Sequence, residues 1–291
     1  MFQLKKILLP VDFSERCHEA IRYALPPLAK HFSCEIIVCH VLPPFLEFGS
    51  SELGISLSGE YMVERRKEAR KQLEAFLADE LRDFRVTRIL LEGDPAHKIV
   101  EQAQSTGCDL ILMPTHGYGP FRRMLLGSVT SKVLHDAECP VWTGAHFQSK
   151  SPAEVIPLRH ILCAIDLGPH SMQTLDWASR LATEFNAKLT LLHVITALNP
   201  RAEDYYFAPE WRKYLIDQAR TDLNNLQQAA GTKFEVELEI GDVAQAVCAA
   251  AKLIQAELIV VGRGSIVSTL GRFRTHAYTI IRESPCPVVS V

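Results

Sequence analysis

Residues 7–24, ILLPVDFSERCHEAIRYA, are repeated later in the chain as residues 161–178, ILCAIDLGPHSMQTLDWA. Three further matches follow in the same order, and the last of them pairs Cys139 with Cys286. The offset between the copies falls from 154 at the first match to 147 at the last, which indicates small deletions in the second copy. The chain is therefore a tandem duplication of one unit.

Each unit alternates short β-branched apolar runs with longer segments of helical periodicity, which is the pattern of a parallel sheet covered by helices. In the first copy the predicted strands are Lys6–Val11, Glu35–Val41, Arg85–Leu91, Leu110–Pro114 and Val141–Gly144. The predicted helices are Glu15–His31, Glu60–Arg82, Ala96–Ser105 and Ser128–Asp136, with Ser14 and Asp94 as caps or first-turn residues. The sequence thus predicts the α/β class, with two tandem doubly wound domains, each a five-stranded parallel sheet.

A polar segment with two prolines, residues 145–158, separates the copies and is typical of a linker. We therefore predict a first domain of residues 1–147 and a second of residues 155–291. This length of 291 residues suits two domains of ordinary size.

Composition excludes several classes of function. The formal net charge is −3, so no broad basic surface is expected and nucleic acid is not a predicted partner. No apolar run approaches the roughly 18 residues of a membrane span, and we expect no membrane association and a cytoplasmic location. The eight cysteines lack the spacing of zinc sites, so neither a metal nor a disulfide is predicted.

A glycine-rich segment follows the fourth predicted strand, MPTHGYGPFRRMLLGSVTSKVL, beginning at Met113. Gly117 and Gly119 lie in a loop, and Gly127-Ser128 stand at the start of a helix. Glycine lets the backbone approach an anion closely, and a helix N-terminus attracts one with its N–H groups. The segment therefore predicts a phosphate site, with a purely structural loop as the alternative. It matches neither the Walker motif nor the dinucleotide fingerprint.

The stretch HGYGPFRRMLLGSV, with VDFS after strand one and CPV before strand five, resembles the universal stress protein family in its tandem two-domain form. The resemblance covers both halves and implies the adenine nucleotide alpha hydrolase-like, Rossmann-like fold. The family's loop reads G-x-x-G, nine residues, then G-S or G-T, and nine residues separate Gly117 from Gly127-Ser128 here. Pro114 departs from this pattern, because it stands where the first glycine would be and has no backbone N–H.

The resemblance implies that the first domain binds ATP, alone or with Mg²⁺. It places the ribose and base near Asp12, the base also against Val41, and His116 over the phosphates. The complete set of implied nucleotide-binding residues is Pro10, Val11, Asp12, Val41, Met113, His116, Gly117, Gly127, Ser128 and Val129. Alternative interpretations are an N-cap for Asp12 and an exposed loop residue for His116, and no catalytic residue is predicted.

The second copy keeps Asp166 and His193 as the counterparts of Asp12 and His40 but has lost the glycine-serine pair. Aligned back from its CPV sequence, Arg274-Thr275 replaces Gly127-Ser128. A bulky arginine blocks the close approach of backbone to phosphate, so we predict that the second domain does not bind ATP as the first does.

The sequence is compatible with three functions. The leading hypothesis is a non-enzymatic, ATP-binding module of the stress response. The second is a structural or interaction protein in which neither pocket is occupied, and the third is an enzyme of the adenylate-forming or pyrophosphatase type. The resemblance also implies pairing of the two domains, or of two chains, through strand five, whose VWTG and VVSV sequences form apolar edges.

Overall fold

The computed structural model describes residues 2–44, 58–115, 126–144, 158–196, 209–263 and 272–291. The chain divides into two compact units. One comprises Gln3–Val141, and the other is built around Ala153–Val291 and also takes in Phe2 and residues 142–144.

The N-terminal half alternates strands and helices throughout. Its elements are β1 Lys6–Pro10, α1 Glu15–Phe32, β2 Glu35–Leu42, α2 Ser58–Ala75, β3 Arg85–Glu92, α3 Pro95–Thr106, β4 Leu110–Pro114, α4 Ser128–Asp136 and β5 Val141–Gly144. The first four strands pair in parallel in the order β3-β2-β1-β4, and Ile111 N donates to Pro140 O beside the start of β5. The chain therefore reverses its direction of winding between β1 and β4.

The C-terminal half repeats this architecture. Its elements are β6 His160–Ala164, α5 Ser171–Phe185, β7 Lys188–Ile195, α6 Pro209–Ala230, β8 Glu235–Ile240, α7 Val243–Leu253, β9 Leu258–Val261, α8 Arg272–Glu283 and β10 Val288–Ser290. The strands are parallel in the order β10-β9-β6-β7-β8. The predicted fold class, tandem α/β domains with parallel sheets, is confirmed.

The central strands form the core of each unit because helices cover both faces of the sheet. Every residue of β4 is buried, as are four of the five residues of β1. Such strands need apolar side chains on both faces, which explains why their sequences do not alternate. No helix within the described residues combines the length and apolarity that a bilayer span requires.

The predicted caps are confirmed, whereas one predicted helix end is wrong. Ser14 and Asp94 are N-caps whose side chains accept from Cys17 N and His97 N. The helix predicted to run to Arg82 ends at Ala75. The guanidinium of Arg88, on β3, donates to the carbonyls of Leu73 and Phe76 at 2.9 and 3.0 Å. These bonds cap the helix end from a neighbouring strand.

All eight cysteines are free thiols, and seven of them are buried. Burial raises the pKa of the Cys34 thiol to about 11 and that of Cys39 to about 12. These side chains therefore pack as small apolar groups. Within the described ranges no group of three or more His, Cys, Asp or Glu residues is placed to hold a metal ion.

Candidate functional site

The carboxyl ends of β2, β1 and β4 lie side by side at one edge of the N-terminal sheet. Pro10, at the end of β1, pairs with Cys39 of β2, and Val11 N donates to Cys39 O at 2.8 Å. On the other side β1 pairs with β4, whose last residues are Met113 and Pro114. A parallel sheet binds ligands at such an edge, where the strand order reverses.

The turn from β1 to α1 is held by a local hydrogen-bond network. Asp12 Oδ1 accepts from Ser14 N at 3.0 Å and from Ser14 Oγ at 2.6 Å. Ser14 Oγ in turn accepts from Cys17 N at 3.2 Å, and Phe13 between them has a φ of 61°. The cap of α1 is therefore Ser14, and the alternative interpretation of Asp12 as the N-cap is wrong. The carboxylate of Asp12 orients the cap.

A histidine on β2 fixes the same turn from the neighbouring strand. The ring of His40 donates from Nδ1 to Val11 O at 2.7 Å and packs against the Phe13 ring at 4.3 Å. Burial lowers the pKa of His40, so the neutral ring that donates from Nδ1 is the stable form. His193 makes the equivalent bond to Ile165 O at 2.7 Å in the second domain. The matching histidines of the two copies are the sequence signal for this role, which the sequence alone did not assign.

Helix α4 begins directly against the end of β4. Gly127 N donates to Thr115 O at 3.0 Å, and Thr130 Oγ1 donates to Pro114 O at 3.1 Å. Gly127 is the N-cap, so the N-cap residue offers no side-chain acceptor to this helix. The first-turn N–H groups of a helix have no partner inside the helix, and at a sheet edge such groups can bind an anion. Ser128 is exposed beside them.

The structure brings eight of the ten sequence-predicted residues to this edge through three strand ends and one helix start. They are Pro10, Val11, Asp12, Val41, Met113, Gly127, Ser128 and Val129. His116 and Gly117 lie outside the described residues.

The corresponding edge of the C-terminal domain forms an open cavity of about 340 Å³. Six counterparts of the predicted site line it, namely Ala164, Ile165, Asp166, Val194, Val261 and His276, which align with Pro10, Val11, Asp12, Val41, Met113 and Val129. Gly262 and Arg263 also line it, and Gly262 occupies the position of Pro114 when the alignment runs forward from β9. The second copy thus forms a pocket, and Arg263 is a lining residue that the sequence did not single out.

The start of the last helix differs between the two domains. Thr275 aligns with Ser128, the first residue of α4, yet the chain is already helical at Arg272. Three residues of helix correspond to about 4.5 Å along the axis. Arg274-Thr275 therefore lies inside the helix, and the helix N-terminus is displaced from the position that α4 gives it.

Comparisons with known proteins agree with this architecture. A sequence profile of the universal stress protein family matches residues 3–143 and 157–291. Two universal stress proteins of Methanocaldococcus jannaschii are 37% and 33% identical over 139 and 153 residues, covering 79% and 92% of their own lengths and 47% of this chain. The crystal structure of a universal stress protein from Archaeoglobus fulgidus covers 99% of the chain and 98% of its own, with a TM-score of 0.71 and 24% identity, which shows a shared fold.

Proposed function

This chain belongs to the universal stress protein family, with one family domain in each half, and we propose that its N-terminal domain binds ATP. The domain then acts as a regulatory binding module of the stress response and does not turn the nucleotide over. A solved member of the family is a complex with cAMP, so a nucleotide is a ligand of that relative.

The observation that carries the proposal is the start of α4 at the switch point of the sheet. The helix has glycine at its N-cap, which offers no side-chain acceptor, whereas α1 and α3 in the same domain are capped by Ser14 and Asp94. Glycine at the N-cap costs a few tenths of a kcal/mol relative to serine or aspartate, and it leaves the first-turn N–H groups to another acceptor. A phosphate supplies that acceptor and also interacts favourably with the positive end of the helix dipole.

The strand ends supply the remainder of the proposed site. Val11, Val41 and Met113 are buried apolar residues at the ends of β1, β2 and β4, and they provide walls against which a purine base packs. Asp12 is fixed by Ser14 at the end of β1, where the resemblance places the ribose. Mg²⁺ would enter this site together with the nucleotide and would offset the charge of its phosphates.

The proposal of binding without catalysis rests on the hydrogen bonds that the nearby titratable side chains already make. Among the described residues of this edge, the titratable side chains of Asp12 and His40 hydrogen-bond to the β1–α1 turn, and the buried thiol of Cys17 lies beside Pro10 O. Asp12 holds Ser14, and His40 holds the Val11 carbonyl. Both therefore have a structural role, and we assign neither as a general base.

Isothermal titration calorimetry with ATP tests the proposal. The wild-type chain should bind one ATP, and Gly127→Arg, which installs the residue aligned here in the second copy, should abolish binding. Ser105→Arg adds the same charge at an exposed position on α3 and should leave binding unchanged. Two ATP molecules per chain would contradict the assignment to one domain, and steady release of ADP would contradict binding without turnover.

The second candidate function, an interaction protein with no nucleotide, is favoured by Pro114, which lacks the N–H that the family's first glycine supplies. It predicts that folded wild-type protein shows no heat of binding with millimolar ATP and that Gly127→Arg changes nothing. The same preparations, measured by light scattering, test the predicted dimerisation through strand five.

A further inference from the structure

The cavity of the C-terminal domain is a distinct place for a ligand, and its lining is mostly aliphatic. It lies between the carboxyl ends of β6, β7 and β9 and the helices α6, α7 and α8. Its apolar side chains include Ile165, Leu192, Val194, Leu215, Val247 and Ile280. About 340 Å³ is at the lower end of the range of small-molecule sites, which is roughly 300 to 1,000 Å³.

The polar groups at the strand ends are engaged in holding the domain together. Ile165 N donates to Leu192 O at 2.9 Å, and Ile165 O accepts from His193 Nδ1 at 2.7 Å. Asp166 Oδ1 accepts from Gly168 N and Ser171 Oγ, both at 2.9 Å. A ligand with many hydrogen-bonding groups would have to compete with these bonds, whereas an aliphatic chain would leave them intact.

One cation lines this cavity within the described part of the domain. Arg263 follows β9 directly, and its backbone N–H donates to Val291 O at 3.0 Å, which fixes the start of its side chain. A guanidinium has five N–H donors in a planar fork, so it can take a carboxylate in addition to the contacts it already makes. His276, on α8, adds a polar imidazole ring to the lining.

A triphosphate does not suit this cavity. In the first domain the proposed anion site is the start of α4 at Gly127, but the aligned residues Arg274-Thr275 lie inside α8. A ligand with a single negative charge needs only Arg263 and does not need that helix start.

We propose that the C-terminal cavity binds a medium-chain aliphatic carboxylate, with the chain among Leu192, Val194 and Val247 and the carboxylate at Arg263. This site is separate from the nucleotide site proposed for the N-terminal domain. The tandem chain would then carry two different ligand sites on two copies of one fold.

The test uses the full-length Gly127→Arg protein, in which the proposed nucleotide site is disabled. Carboxylate binding by the C-terminal domain is then measured without any contribution from ATP binding by the N-terminal domain. Calorimetric titration should show one decanoate bound per chain. Octanoate should bind about fifteenfold more weakly, because each methylene group contributes about fourfold. Decanol, which lacks the charge, should bind at least about tenfold more weakly than decanoate.

Substitutions locate the site. Arg263→Gln should reduce the affinity for decanoate to that for decanol, and it should leave the affinity for decanol unchanged. Arg220→Gln, at an exposed position on α6 outside the cavity lining, should change neither affinity. Val247→Trp fills the cavity and should abolish both, and Ala277→Leu is the milder filling variant if the tryptophan prevents folding. Circular dichroism establishes that each variant is folded.

Decanoate affinity that is unchanged in Arg263→Gln or in the folded cavity-filling variant would overturn the proposal. Displacement of decanoate by ATP in the Gly127→Arg background would also overturn it, since the cavity would then be a second nucleotide site.

Discussion

Placing an aspartate at the start of α4, Gly127→Asp, separates the stability of the N-terminal domain from its proposed binding of ATP. Gly127 has φ of −56° and ψ of 141°, the extended conformation that an N-cap residue ordinarily adopts. Aspartate reaches this conformation without strain, and its carboxylate accepts from the N–H groups of the first helical turn. The substitution therefore adds the cap that the helix lacks.

This geometry sets the size of the change in the free energy of unfolding and of the change in ATP affinity. Replacing glycine by a better N-cap contributes a few tenths of a kcal/mol, and a negative charge at the helix N-terminus adds about 0.3–1 kcal/mol. The free energy of unfolding should thus rise by about 0.5–1 kcal/mol. ATP loses at least one charge-assisted hydrogen bond, of about 1.5–3 kcal/mol, so its affinity should fall about 10- to 100-fold.

Urea titration and calorimetry with ATP measure the two effects on the same preparation. His170→Asp is the matched control, because His170 is an N-cap in the C-terminal domain that also makes no side-chain cap bond. It adds an identical charge and should leave the affinity for ATP unchanged. A more stable Gly127→Asp protein with unaltered ATP affinity would refute the idea that the phosphates lie at this helix start.

Two further predictions concern the turn that carries Asp12. Ser14→Ala should lower the free energy of unfolding by about 2 kcal/mol in urea titration, because it removes both the N-cap and a hydrogen bond to a carboxylate, whereas Ser105→Ala on the exposed side of α3 should have little effect. A loss below about 0.5 kcal/mol for Ser14→Ala would contradict this role. Burial lowers the pKa of His40 against the opposing effects of Val11 O and Asp12, so the native state favours the neutral ring. Stability should be complete above about pH 6.5, the pKa of an unfolded histidine, and should decrease as the pH falls below it. Unfolding measured at pH 7.5 and 5.5 should show a smaller difference for His40→Gln than for wild type, and an equal difference would exclude His40 as the source.

The fold could be predicted from the sequence because its signals are local or repeated. Buried strands such as β4 are short apolar runs, and the helices between them have one apolar face. The duplication supplied each of these signals twice. The end of α2 could not be predicted in this way, since the guanidinium that bonds its last carbonyls belongs to Arg88 on β3, and Leu77 just after the helix has a φ of 50°.

The candidate site, too, could be predicted from the sequence only in part. The glycine-serine pair could be found from spacing, because a loop that holds phosphate needs particular residues at fixed intervals, whereas Asp12 was implied by the family resemblance. The partner of His40 could not, since Val11 is 29 residues away and meets it only when β1 and β2 pair.

By itself, the sequence determined that the chain is a duplicated α/β unit and that the two copies differ at Gly127-Ser128, since residue identity and spacing are properties of the chain. Only the tertiary structure decided that α4 starts at Gly127 against Thr115, and that the second copy, which lacks the glycine-serine pair, still forms a pocket lined by Arg263. The physical reason is that hydrogen-bond partners and enclosed volume depend on strands and helices far apart in the sequence, which packing alone brings together.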